Sequence, residues 1–532
     1  MQKIRKEQGI TLLALVITII ILLILAGITI NAITGDNGII GNAGQAKEET
    51  EIANEKEIIE KATVQAMGNN KYGNIEQSEL QEQLDKETKE GKTEVADVGD
   101  EFEVVFNESN RYYTVDKEGH VEGAYEIIED KYPGDITVGK DGETLDGSEE
   151  KPYEIWCIED LCAFSNQVNK GNPFISKYVK LMRDLNFNSD LSYENGKILV
   201  DGNIQSCQSI EELKKLLTEN EGFYPIGNSY LSTTNSNFRG TFDGNHKTIK
   251  NIYINRPNSV VGLFGATSND TDNNIIIKNL SISGNMTGST VGSIFADVRT
   301  YDRDNKGSFI KIENCTSNVN IEGDVAGGII GINNASSEGN LIIVNCTNKG
   351  KISGKSKVAG ILGHNYNSAK IINCYNLGGI SGDADVGGII GHDGRASNTI
   401  NTYNSGNIKS NSNAGGIIGF SGWAEKSIEN CYNIGKISGS TVGGIIGGLN
   451  ISNDLLTTQN CYYLNTDISK GIGGWNTNAE ALEDIQGLTD TEMKSNDILE
   501  KLNNYVIENE IREGIELKKW IKGGDEGYPT FS

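Results

Sequence analysis

The chain reads as a mainly β protein: a right-handed-type parallel β-solenoid of ~28-residue repeats, preceded by a membrane-spanning helix and a small α+β module. Three observations lead there. Glycine makes up 64 of 532 residues while proline makes up 6, and that is about twice glycine's usual share of ~7%. Glycine excess without proline is neither collagen-like nor a proline-rich linker. Two independent sequence markers recur through residues 240–465, and an uncharged apolar stretch lies near the amino terminus.

Charge bounds the partners. With 73 acidic and 47 basic residues the net charge is −26, so a nucleic-acid partner is excluded. The excess is local: residues 45–160 hold 33 acidic against 12 basic residues, a balance of −21. The chain downstream is nearly neutral and rich in Asn and Gly. That shift marks a domain boundary between Tyr125 and Pro152.

No charged residue occurs from Gln8 to Gly35, and Ile10–Ile33 is almost wholly apolar. About 20 helical residues at ~1.5 Å each cross a ~30 Å hydrocarbon layer. Lys3, Arg5 and Lys6 precede the run and Asp36, Glu48, Glu49 and Glu51 follow it. The positive-inside rule therefore predicts a single-pass membrane protein, with residues 1–8 cytoplasmic and the bulk outside the cell.

Lys6-Glu7-Gln8-Gly9 followed by Ile10-Thr11-Leu12-Leu13-Ala14-Leu15-Val16 resembles the leader of type IV prepilins. The resemblance covers about residues 3–67. It implies cleavage by a prepilin peptidase between Gly9 and Ile10, methylation of Ile10, and membrane lipid around residues 10–34. Ala14 stands at the fifth mature position, where that family carries a glutamate that pairs with a neighbouring subunit's terminal amine; a pilus-like assembly therefore stays open. Ala46–Met67 interleaves charges with recurring apolar positions and reads as a stalk helix, within residues 35–70.

Residues 71–130 read as a small acidic α+β module. Ser78–Leu84 suggests a short helix, Glu101–Phe106 alternates as a strand, and Arg111–Val115 can pair with it across a turn at 107–110. Its carboxylates read as a solvated face. Residues 131–151, with Pro133-Gly134-Asp135, Asp141-Gly142 and Asp146-Gly147, read as a linker.

From Phe238 to about residue 475 the chain repeats. A glycine-bracketed apolar unit appears at Gly262–Gly265, degenerately at Gly292–Ala296, and again at Gly328–Gly331, Gly360–Gly363, Gly388–Gly391, Gly416–Gly419 and Gly444–Gly447. Asn251, Asn279, Asn314, Asn345, Asn373, Asn401, Asn430 and Asn460 interleave, typically within Ile-x-Asn-Cys-Tyr-Asn. The last three spacings of the glycine unit settle at 28 residues. Such a unit cannot bury an apolar face alone but can when stacked as one coil of a solenoid, with about three short strands per coil. Propeller blades of ~40–50 residues are too long for this period. No proline interrupts residues 258–528, as continuous ladders require. Asn suits corners, where it tolerates left-handed geometry and stacks its amide along the axis. The glycines supply positive φ or close contact between coils.

These units resemble the GLUG motif, and Gly262-Leu263-Phe264-Gly265 matches its core best. Residues 152–237 are similar to the N-terminal cap of surface proteins that bear such repeats, through Ile158–Leu161, Val168–Gly171 and Val179–Leu185. Phe238–Gly244 resembles their first coil. Trp520 and Gly527-Tyr528-Pro529 resemble their closing segment, so residues 476–532 are expected to form a C-terminal cap. The motif occurs in adhesins and beside IgA-specific metallopeptidases.

None of His120, His246, His364 and His392 belongs to an H-E-x-x-H helix. His364 and His392 each follow a repeat glycine and are expected at equivalent turns of successive coils. Cys315, Cys346, Cys374, Cys431 and Cys461 share one repeat position with Thr402 and Leu280; a disulfide or metal would not tolerate those substitutes, whereas a buried thiol stack would. Cys157 and Cys162 are five apart, an awkward spacing for a bridge near a helix start. Asp302–Gly307 resembles half a calcium loop, but Lys306 occupies a ligand position and no Glu completes it. No catalytic residues, metal site or cofactor are assigned. The expected function is non-enzymatic: a membrane-anchored surface protein whose solenoid serves adhesion, binding an extracellular glycan or protein. The alternative is a carbohydrate-active β-helix enzyme.

Overall fold

The structure, a computed structural model, describes residues 39–532 apart from short stretches, the longest being 127–135, 189–196, 228–235, 301–308, 335–340 and 475–483. The leader, the membrane segment with Ala14, Cys207 and the Asp302–Gly307 loop lie outside the described residues. Among the described residues no helix is long and apolar enough to cross a membrane. The chain forms two compact units, Met1–Glu129 and Asp130–Ser532.

In the first unit, helices α1 (Ile39–Asn69) and α2 (Gln77–Thr88) accompany an antiparallel meander of β1 (Thr93–Asp97), β2 (Glu101–Phe106), β3 (Arg111–Asp116) and β4 (Val121–Glu126). Ile59, Ala62 and Ala66 recur at helical spacing on one face of α1. They share a core with Phe102 and Val104 of β2 and Tyr113 and Val115 of β3. The stalk is thus part of the module's core. Arg111 Nε donates to Glu55 at 2.9 Å and the Tyr113 hydroxyl donates to it at 2.6 Å. Burial works to raise the Glu55 carboxyl, but these hydrogen bonds prevail and hold it below the usual carboxylate range. Strand β1 is an element beyond those expected from the sequence. Its sequence Thr-Glu-Val-Ala-Asp has one large apolar residue, Val95, and so no visible alternation.

The second unit is a parallel β-solenoid of about nine turns. It starts where Tyr153–Ile155 pairs with Tyr178–Leu181, which in turn pairs with the strand from Thr241. Helix α3 (Ile158–Asn169) sits beside these strands; the Asp160 carboxylate accepts the Trp156 and Cys157 amides at 2.8 and 3.3 Å and so fixes its first turn. Phe164 of α3 meets Phe174, Phe238 and Phe242, and the aromatic file runs on through Phe264 to Phe295. Cys157 and Cys162 are buried free thiols.

A regular coil carries four strands rather than three, for example Ala369–Ile372, Tyr375–Asn376, Ile380–Gly387 and Ile390–Asp393. The extra break is the corner asparagine. Asn251, Asn279, Asn314, Asn345, Asn373, Asn401, Asn430 and Asn460 all have φ between 53° and 58°, where Asn is tolerated. Their side-chain amides bond from coil to coil, as in Asn345 to Asn314 at 2.9 Å and Asn401 to Asn373 at 2.7 Å. Inside, the register stacks Ile330, Leu362, Ile390, Ile418, Ile446 and Ile472 in one column.

The structure decides between the two alternatives for the repeat glycines and refines two further expectations. None of the repeat glycines has positive φ; close contact is the whole reason. A Cβ on Gly388 would lie 2.0 Å from the Gly416 carbonyl oxygen and 2.6 Å from the Asn404 Cβ, and one on Gly391 2.6 Å from the Gly363 carbonyl oxygen. Second, His364 and His392 lie in paired strands, not turns. Third, residues 476–532 do not simply close the end. Ile485–Leu488 extends the ladder beyond Cys461–Leu464, but the following helix Asn496–Glu508 and the strands near Trp520 cover the flank of the coils. The Tyr403 and Tyr432 rings stack at 5.1 Å and lie under Trp520. Corner amides of Asn373, Asn401 and Asn430 donate to the carbonyls of Glu516, Lys518 and Leu502. An exposed tyrosine stack beside half-used amides calls for such a cover.

Candidate functional site

The thiol column is built for packing. Cys315, Cys346, Cys374, Cys431 and Cys461 are fully buried free thiols. Burial pushes the Cys315, Cys346 and Cys461 thiols well above the usual cysteine range, which suppresses nucleophilic thiolate. Each thiol donates to a carbonyl, as Cys374 does to Ile372 at 3.3 Å. Thr402 fits the column because its hydroxyl meets Cys431 Sγ at 3.2 Å.

A second interior column is polar. Asn333 donates to Asn365 and Asn365 to Asp393, each at 2.8 Å. Asp393 is paired with Lys426 at 2.9 Å, and both side chains have zero exposure. Ser397 donates to Asp393, while Lys426 also donates to the carbonyls of Asp393 and Arg395. Burial pulls the Lys426 ammonium below the usual lysine range, against the pull of Asp393. This network is satisfied internally and has no room for a ligand.

On the opposite side of the same strand segments, His364, His392 and Phe420 share a register, with ring centroids 4.9 and 5.0 Å apart. His392 Nδ1 lies 2.7 Å from Asp385, which accepts from Asn413 at 2.8 Å. His364 is 3% exposed and its Nδ1 has no partner. Burial, Lys357 and His392 together press its imidazolium down to about 3, so it stays neutral. Among the described residues no three His, Cys, Asp or Glu side chains gather in a way that could hold a metal ion.

The open feature is a shallow groove of about 950 Å3 that crosses six successive coils. Its floor is the column Met286, Ile321, Ile352, Ile380, Ile408 and Ile437, kept in line by parallel register. Because side chains alternate along a strand, the residues on either side of each floor residue point outward. One rim carries Asn285, Asn320, Lys351, Gly379, Asn407 and Lys436; the other carries Thr287, Glu322, Ser353, Ser381, Lys409 and Ser438. Asn320 donates to Asn285 at 3.2 Å, while the Lys351 and Lys436 amides donate to Asn320 and Asn407. The rims are therefore preorganised by the same amide stacking that holds the corners.

The repeat glycines and thiols singled out from the sequence do not line this groove; they stack in the walls and interior. Its residues were legible as a polar-Ile-polar triplet such as Lys351-Ile352-Ser353 or Asn407-Ile408-Lys409, trailing each corner asparagine. Its flanking positions vary from coil to coil, so the triplet gives a weaker periodic signal than the glycines and corner asparagines.

No protein-family model and no curated protein matches the chain. Among solved structures, the chain is similar to a Bacteroides ovatus protein proposed to be an immunoglobulin A1 protease, at 20% identity and a TM-score of 0.44, over 76% of this chain and 99% of that one. A likeness at that level assigns this chain neither activity nor substrate.

Proposed function

We propose that the protein is a non-enzymatic, membrane-anchored surface protein that holds an extracellular ligand in the solenoid groove. The groove carries the reading: it is long, open and continuous, and lined by amides, hydroxyls and lysines on strands that pair with the coils before and after them. The apolar run Ile10–Ile33, the prepilin-like leader and the GLUG-like repeats support anchoring and display. Among the described groove residues Glu322 is the single carboxylate, whereas glycoside hydrolysis uses a pair; this weighs against a carbohydrate-active enzyme. Two experiments test the reading. Full-length protein in detergent, screened against immobilised glycans and matrix proteins, should bind at least one class saturably, and Ser381→Trp should block that binding by filling the groove. Silence across the screen, or binding indifferent to Ser381→Trp, overturns the groove as the site. Mass spectrometry of membrane-derived protein should find Ile10 as the mature terminus, and an intact Met1 removes the pilin-type anchor.

A further inference from the structure

Building on that reading, we infer that the groove's ligand is a linear acidic glycan, held by Lys351, Lys409 and Lys436. All three lysines are exposed, and none is in an ion pair with a described residue. Several other lysines of the solenoid are committed, among them Lys355 to Asp324, Lys370 to Glu513 and Lys426 to Asp393. Against them the groove sets one acid, Glu322. A chain with net charge −26 thus keeps a local surplus of two positive charges in this groove, three lysines less one glutamate.

The spacing suits an extended polymer. Coils rise by ~4.8 Å, so Lys351 and Lys436, three coils apart on one rim, stand about 14 Å apart along the axis, and Lys409 on the other rim lies about 10 Å from Lys351. Lys351 and Lys436 on one rim and Lys409 on the other address charges on both sides of a twisted strand. Between them Asn285, Asn320, Asn407, Ser353, Ser381 and Ser438 offer amides and hydroxyls suited to a polyhydroxylated backbone. A peptide is less well served. The usual peptide mode adds a strand to a free sheet edge, and the groove is a sheet face whose backbone is committed to neighbouring coils.

The test measures the affinity of the full chain for four probes: polygalacturonate, hyaluronan, neutral pullulan and poly-L-glutamate. The two polyuronates should bind, more weakly as salt rises, and pullulan should not. The triple variant Lys351→Gln/Lys409→Gln/Lys436→Gln should lose about tenfold in affinity, as three exposed charge pairs would. Glu322→Gln should tighten binding. Equal binding of pullulan, or a triple variant that binds like the parent, overturns the inference. Poly-L-glutamate bound as tightly as the polyuronates overturns it in favour of a general polyanion trap. If the polyuronates fail while the glycan and matrix-protein screen returns another ligand blocked by Ser381→Trp, the acidic-glycan assignment falls and the binding function stands.

Discussion

The first coils of the solenoid and the later ones solve the same stacking problem differently. In the first, spacings of 31 and 35 residues separate the repeat units, and apolar bulk fills the interior: Phe238, Phe242, Phe264 and Phe295 run as one aromatic file. Val298 occupies the ladder position that becomes Asn333, Asn365, Asp393 and Ser421 further on. In the later coils, at 28-residue spacing, identical polar residues stack, including the buried column Asn348, Asn376, Asn404 and Asn433 with amide bonds of 2.7 Å. That column stops at Ser317 on one side and Tyr463 on the other. Phenylalanines tolerate a coil of altered length because apolar contact has no direction. An amide ladder does not, since each group depends on a partner in exact register and an unmade buried hydrogen bond costs about 1–3 kcal/mol. Regular period and buried polar columns come together.

The comparison can be broken most severely at Lys426. Lys426→Met leaves the buried Asp393 carboxyl without its cation partner, and should destabilise the solenoid by about 3–5 kcal/mol in urea melts. The double change Lys426→Met/Asp393→Asn, which removes the charge but keeps an acceptor for Asn365 and Ser397, should recover much of that loss. If it does not, the pair itself stabilises the later coils.

Next comes Gly388→Val, which sets two methyls against the Gly416 carbonyl and Asn404. We expect a loss of roughly 2–4 kcal/mol in thermal melts, spreading to neighbouring coils because solenoid stability is a sum of nearest-neighbour contributions. A variant that melts like the parent would mean the later coils are as pliant as the first.

His364 makes the later coils acid-sensitive. Its folded pKa is lowered from 6.5 to about 3, so the native state favours the neutral ring while the unfolded chain takes up a proton. Its stabilising effect is present above pH 6.5 and is lost as pH falls toward 3. By pH 5 the loss is roughly 2 kcal/mol. His364→Phe, which copies Phe420 two coils on, should flatten the decline in Tm between pH 7.5 and 5. An unchanged slope would place the acid sensitivity elsewhere.

The smallest effect is expected in an early coil. Ser293 stands where later coils have glycine, and its hydroxyl donates to the Gly328 carbonyl at 2.6 Å. Ser293→Gly should cost about 1 kcal/mol, one hydrogen bond. A larger loss would show that the degenerate unit is tighter than its sequence suggests.

The repeat itself was legible because glycine brackets and corner asparagines are local signals. Each sits where sterics or backbone geometry admit almost nothing else, so period, coil interior and the role of Asn345 or Asn401 followed from the sequence alone. The thiol column was readable for the same reason, since Thr402 and Leu280 ruled out a bridge. Tertiary structure decided the rest. Gly388 is required by a carbonyl 28 residues away, not by its own φ. The C-terminal segment lies along the flank because the Tyr403–Tyr432 stack and the corner amides exist only once coils are stacked. Lys351, Lys409 and Lys436 became one site only when parallel register carried three distant triplets onto a single groove. Local geometry is written in neighbouring residues, whereas a surface assembled across coils depends on which residues the stacking makes neighbours.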